Sequence, residues 1–135
     1  MEKNIIRKKI ERAIPPTAKA RGSPCPYMMK DFEGEVNDYI IKAPDCQQDL
    51  IDEGQMQSNC VGSYIDKVIN GTSMVFFMRK KKTPDQSLVT IEVRNNELAQ
   101  VKARFNKQPS DTEMDAVNTW FGKMFHHEKA ALMAA

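Results

Sequence analysis

Two alternating stretches, Ser87–Arg94 (SLVTIEVR) and Leu98–Phe105 (LAQVKARF), are separated by only Asn95, Asn96 and Glu97, and they constrain this chain more than any other feature. Alternation marks a strand with one buried face, and so short a connection makes the pair an antiparallel hairpin. The pattern also chooses the register. A regular two-residue turn would set Ile91 opposite Gln100 and Val89 opposite Lys102, mixing the faces. A three-residue turn over 95–97 pairs Arg94 with Leu98, Glu92 with Gln100 and Thr90 with Lys102. One side is then wholly apolar: Val89, Ile91, Val93, Ala99, Val101, Ala103 and Phe105. The other carries Thr90, Glu92, Gln100, Lys102 and Arg104. A slip of one residue inverts every side chain, so the register with separated faces is expected.

Other elements assemble around the hairpin. Ser73–Lys81 (SMVFFMRKK) is short, β-branched and aromatic, and reads as a buried third strand. Asp38–Ala43 is a fourth, short edge strand or an extended docking segment. Asp45 after Pro44 caps a helix over 46–53 that Gly54 should stop. Ser58 is a candidate N-cap for a second helix over 59–69, with Gly71 at its C-terminal end. After Pro109, Ser110 and Glu113 form a capping box. They open a helix whose stripe is Met114, Val117, Trp120, Phe121, Met124 and Phe125. At the other end of the chain, residues 3–14 alternate isoleucines with Arg7, Lys8, Lys9 and Arg12 at helical spacing, and the proline-rich stretch 15–30 is irregular. The expected fold is α+β: a three-stranded antiparallel sheet, with room for a fourth short edge strand, packed with a Cys60-bearing helix and a C-terminal helix. The expected organisation is a basic N-terminal segment, 1–43, followed by an α+β domain, 44–135, in one compact unit.

Composition limits the class. The chain has 135 residues, 41% hydrophobic and 28% charged, as a single globular domain should. No apolar run reaches a membrane-spanning length, and the charged N-terminus lacks a signal-peptide core. A cytoplasmic location and no membrane partner are expected. Three cysteines, Cys25, Cys46 and Cys60, fit no zinc or disulfide spacing. His126 and His127 are adjacent on a helix and so diverge. No metal or cofactor is expected. The net charge of +2 is segregated: residues 1–30 carry +6, 31–66 carry −8, 67–107 carry +6 and 108–135 carry −2.

Cys60 falls in the first turn of the expected second helix, where backbone N–H groups favour a thiolate. Tyr64 follows four residues later on the same face. The polar hairpin face adds Thr90, Glu92 and Gln100, and Arg79 can join from the neighbouring strand. Cys60 and Glu92 are the candidate catalytic residues; Tyr64, Arg79, Thr90, Gln100 and Asn106 are the candidate binding residues. Cysteine catalysis ordinarily needs a base against the sulfur, and these strands carry no histidine. Burial as a small hydrophobe is the plain alternative for Cys60, and a water-facing cross-strand pair for Glu92 and Gln100. Two basic patches suit phosphate: Arg7, Lys8, Lys9 and Arg12, and Lys80, Lys81, Lys82, Lys102 and Arg104 with Arg79 and Lys107. With Phe105 assigned to the apolar face, no aromatic is interleaved on the basic one, so a stacking platform is not expected.

Taken in order, Glu53-Gly54, Cys60-Val61-Gly62, Tyr64, Gly71, Ser73, Arg79, Thr90, Glu92, Gln100 and Asn106 resemble the PcfJ-like family, found in proteins of conjugative plasmids, phages and other mobile elements. The likeness covers roughly residues 44–121. Where the family has His before the cysteine this chain has Asn59, and where it has Gly after the Gln it has Ala103. The resemblance implies that this polar set is a family feature. The expected function is an accessory or binding protein of a mobile element, such as an inhibitor, acting on a nucleoprotein, a host defence component or a polar ligand. The alternatives are a cysteine-dependent hydrolase or transferase at Cys60, a nucleic-acid binder, and a receptor for a small anionic ligand.

Overall fold

In the computed structural model, residues 21–58 and 64–126 are described. Five strands form one antiparallel meander: β1 (Gly34–Val36), β2 (Tyr39–Lys42), β3 (Met74–Lys80), β4 (Val89–Arg94) and β5 (Glu97–Ala103), in that spatial order. The fold class is the expected one, but the sheet has five strands rather than three or four. The extra edge comes from a tight hairpin at Asn37 and Asp38, with Asn37 at φ +52. β1 and β2 are three and four residues long, too short to show an alternation. Both lie within the sheet, in the stretch assigned to the N-terminal segment from sequence. The helix expected over 3–14 lies outside the described residues.

The β4–β5 register pairs Thr90 with Lys102 and Glu92 with Gln100, as the face pattern requires. The turn reaches this by a different route. Asn95 and Asn96 form a two-residue turn with φ of +56 and +62, the signature of type I′, and Arg94 pairs with Glu97. Leu98 pairs with Val93 and Gln100 with Glu92, so Ala99 is an extra residue. This β-bulge restores the alternation that the short turn alone would have inverted.

Among the described residues three helices flank the sheet: α1 (Gln47–Gln57), α2 (Ile65–Ile69) and α3 (Asp111–Phe121), the last continuing as one π-helical turn, Gly122–His126. The capping box at Ser110 and Glu113 is formed in both directions, at 3.1 and 2.9 Å. α1 runs through Gly54, which is buried. Ser58 ends α1 at φ +53, α2 spans Ile65–Ile69, and residues 59–63 of the helix expected over 59–69 lie outside the described residues. Gly71 takes φ +84 just past α2, as expected of a C-terminal glycine.

α3 packs on one sheet face through aromatic contacts. Phe76 lies 5.0 Å from Trp120 and 6.4 Å from Phe125, ring centre to ring centre. Phe32, from the 3-10 turn Tyr27–Phe32, stacks on Phe125 at 4.5 Å. Trp120 donates its indole N–H to the Phe32 carbonyl at 2.7 Å, so its polar atom is satisfied inside the core. Ile41, Met78, Val89, Ile91 and Val93 complete this layer, each at 1% exposure or less. Each such side chain contributes about 1.5–3 kcal/mol on burial. α1 covers the opposite face.

Candidate functional site

The face under α1 is built on different chemistry. Period-2 geometry places Val75, Phe77 and Arg79 of β3 beside Thr90 and Glu92 of β4 on this side. α1 meets them with Leu50, Glu53, Gly54 and Gln57, all buried. Those four stand at i, i+3, i+4 and i+7, the spacing of an inward helical stripe, with two polar residues among them.

Glu53 is fully buried. One carboxylate oxygen is ion-paired with the Arg79 guanidinium. The other accepts hydrogen bonds from Ser87 at 2.8 Å and Thr90 at 3.2 Å. The Gln57 amide donates to Ser87. Arg79 also donates to the Pro84 carbonyl at 2.9 Å and lies over the Phe77 ring at 5.5 Å. A carboxylate taken out of water needs partners of this number and charge. Glu92, two residues along β4 from Thr90, is 2% exposed and, among the described residues, accepts a hydrogen bond from Ser73 alone, at 2.8 Å. Among the described residues, Glu92 Oε1, Gln57 Oε1 and Arg79 Nε have no hydrogen-bond partner.

Arg79 also borders a cleft of about 560 Å³ between α1 and strands β2 and β3. Phe77, Ala43 and Met56 supply its apolar walls; Lys42, Asp52 and Asp85 are among its charges. Lys30 on its rim is ion-paired with Asp45, which holds its amino group above the usual lysine range.

The residues singled out in the sequence separate accordingly. Arg79 and Thr90 converge on Glu53, whose place in this cluster sequence reasoning did not anticipate. Glu92 shares their face but is held by Ser73. Gln100 faces the same side from edge strand β5 and is exposed, as is Asn106 at φ +59. Tyr64 is half-buried at the start of α2 with the Lys67 amino group 5.6 Å from its ring centre. Cys60 lies outside the described residues, as do Arg7, Lys8, Lys9 and Arg12. As an anion contact Arg79 is already neutralised by Glu53. Cys25 is buried, and desolvation above all pushes its thiol up to about 12. Among the described residues no group of three His, Cys, Asp or Glu is arranged to hold a metal ion, and no helix is long and apolar enough to cross a membrane.

This architecture, an antiparallel meander with a hydrocarbon layer on one side and an ion-paired polar layer on the other, carries a sequence that known proteins share. The profile of the PcfJ-like protein family matches residues 1–117, and the chain belongs to that family. It is 33% identical over 94 residues to "Uncharacterized protein Lin1253/Lin1744" of Listeria innocua serovar 6a. That alignment takes in 68% of this chain but 21% of the Listeria protein, so the chain spans about a fifth of that relative's length. No solved structure matches.

Proposed function

We propose that this chain is a binding module of a mobile-element protein, and that its site is the cleft between α1 and strands β2 and β3. The observation that carries this reading is the cleft itself. It opens beside a buried ion pair, Glu53–Arg79, and combines apolar walls with charges of both signs. Concave sites with an apolar lining and a few fixed polar groups are where proteins take small ligands and partner segments. The ion pair and its hydroxyl partners hold the Arg79 wall in one place, and pre-organisation of that kind favours binding. Phe77 and Met56 suit an aliphatic stem, and Asp52 and Asp85 suit a cationic head on it. The occupant is therefore a polar ligand or protein segment carrying a lysine- or arginine-like group.

The test is a panel of short lysine-, arginine- and glutamate-containing peptides, read by amide chemical-shift mapping on the whole chain. Basic members are expected to perturb Lys42, Phe77 and Arg79. The perturbation should disappear in Met56→Trp, which fills the cleft from an exposed wall. Shifts caused equally by basic and acidic peptides, or by none, would remove the cleft as a site.

A further inference from the structure

Phe105 stands apart from the core it was expected to join. The alternation of β5 assigns it to the apolar face. Instead the strand stops at Ala103, a 3-10 turn follows over Arg104–Asn106, and Phe105 adopts φ +59, ψ +32. Asn106 follows at φ +59. The left-handed region is ordinary for Asn but an outlier for a bulky aromatic. The result is a ring turned outward, 60% exposed, with the Arg104 guanidinium 5.4 Å from its centre.

Its surroundings are basic, and the sheet register is the reason. Met78, Val89 and Ala103 lie side by side across β3, β4 and β5. Lys80 and Lys82, just past Met78, therefore share one end of the sheet with Lys102, Arg104 and Lys107. Lys81 pairs with Glu35 at 2.9 Å. Among the described residues the other five cations make no ion pair. A shallow cavity of about 310 Å³ lies between Lys80, Lys82 and Ser87 at the same end.

We propose that this end of the sheet is a contact for single-stranded nucleic acid, with a base stacked on Phe105 and phosphates on Lys80, Lys82, Lys102, Arg104 and Lys107. An exposed ring among unpaired cations supplies both elements of such binding, a sequence-tolerant π surface and an electrostatic track for the backbone. An acidic protein segment would use the cations but not the ring. A duplex, its bases already stacked, would also leave the ring without a partner.

The experiment is fluorescence anisotropy with the whole chain and a labelled mixed-sequence 20-mer single strand, across a salt series. The intact chain should bind at low salt, with affinity falling steadily as salt rises. Phe105→Ala should weaken binding about tenfold, and Phe105→Trp should restore it. An abasic strand of equal length should bind equally to the parent chain and to Phe105→Ala. Lys80→Ala and Lys107→Ala should each flatten the salt dependence, by about 0.7 in logarithmic slope for each phosphate no longer neutralised. No binding at low salt overturns the proposal. So does unchanged binding by Phe105→Ala, and so does equal capture of a polyglutamate peptide that is indifferent to that substitution. The cleft variant Met56→Trp should bind the strand normally, so this result and that of the cleft are independent.

Discussion

The two faces of one sheet solve the problem of burial in opposite ways. Against α3, Phe76, Met78, Val89, Ile91 and Val93 meet Trp120 and Phe125, and the buried Trp120 N–H is capped by a carbonyl. Against α1, the same strands present Arg79, Thr90 and Glu92, and α1 answers with Glu53 and Gln57. Stability alone does not call for the second arrangement, because a well-packed apolar layer of equal volume is commonly as stable as a buried ion pair or more so. The apolar face holds the fold together. The polar face fixes the position of a few charged groups beside a cleft.

The contrast can be broken from either side. Trp120→Ala removes the largest buried side chain of the apolar layer and is expected to cost about 3–5 kcal/mol in urea unfolding. Glu53→Ala leaves Arg79 with little water and no counter-charge, and should cost about 3 kcal/mol. The double replacement Glu53→Leu with Arg79→Met should recover most of that loss. If the double variant is as unstable as the single one, the polar layer contributes stability in its own right and the contrast fails. Ser110→Ala removes one half of the box that starts α3, and should lower the melting temperature by the equivalent of about 1 kcal/mol. The smallest change has the opposite sign. Phe105→Gly relieves the left-handed strain, and even after the added chain entropy of glycine should stabilise by about 0.5 kcal/mol.

What the sequence revealed divides along the same line. The apolar face was legible because hydrocarbon periodicity is its only requirement. The strand alternation, the Val117–Trp120–Phe121 stripe and the capping box each appear where the pattern put them. The polar face was only half legible. Thr90 and Glu92 followed from the hairpin register, but the inward stripe of α1 runs Leu50, Glu53, Gly54, Gln57 and is mostly not apolar. A glutamate and a glutamine on a helix ordinarily point to water, and the signs that they did not were their i, i+3, i+7 spacing from Leu50 and the place of Glu53 in the family pattern. Gly54 read as a stop because local propensity disfavours glycine in helices, and burial against the sheet overrode it. Phe105 was misplaced for a local reason. The strand pattern continues through it, and nothing in LAQVKARF marks where the backbone leaves the sheet.

The bulge at Ala99 has a consequence for how this hairpin tolerates change in chain length. Two turn residues plus one surplus residue together keep the strand in phase, so the hairpin behaves like a code with a parity check. Deleting Ala99 alone, or adding one residue to the loop alone, would turn β5 inside out, pushing Val101 toward α1 and Lys102 toward the aromatic layer. Two compensating edits on the same strand would leave both layers intact. Lengthening of this hairpin is therefore admissible only in steps that preserve that count.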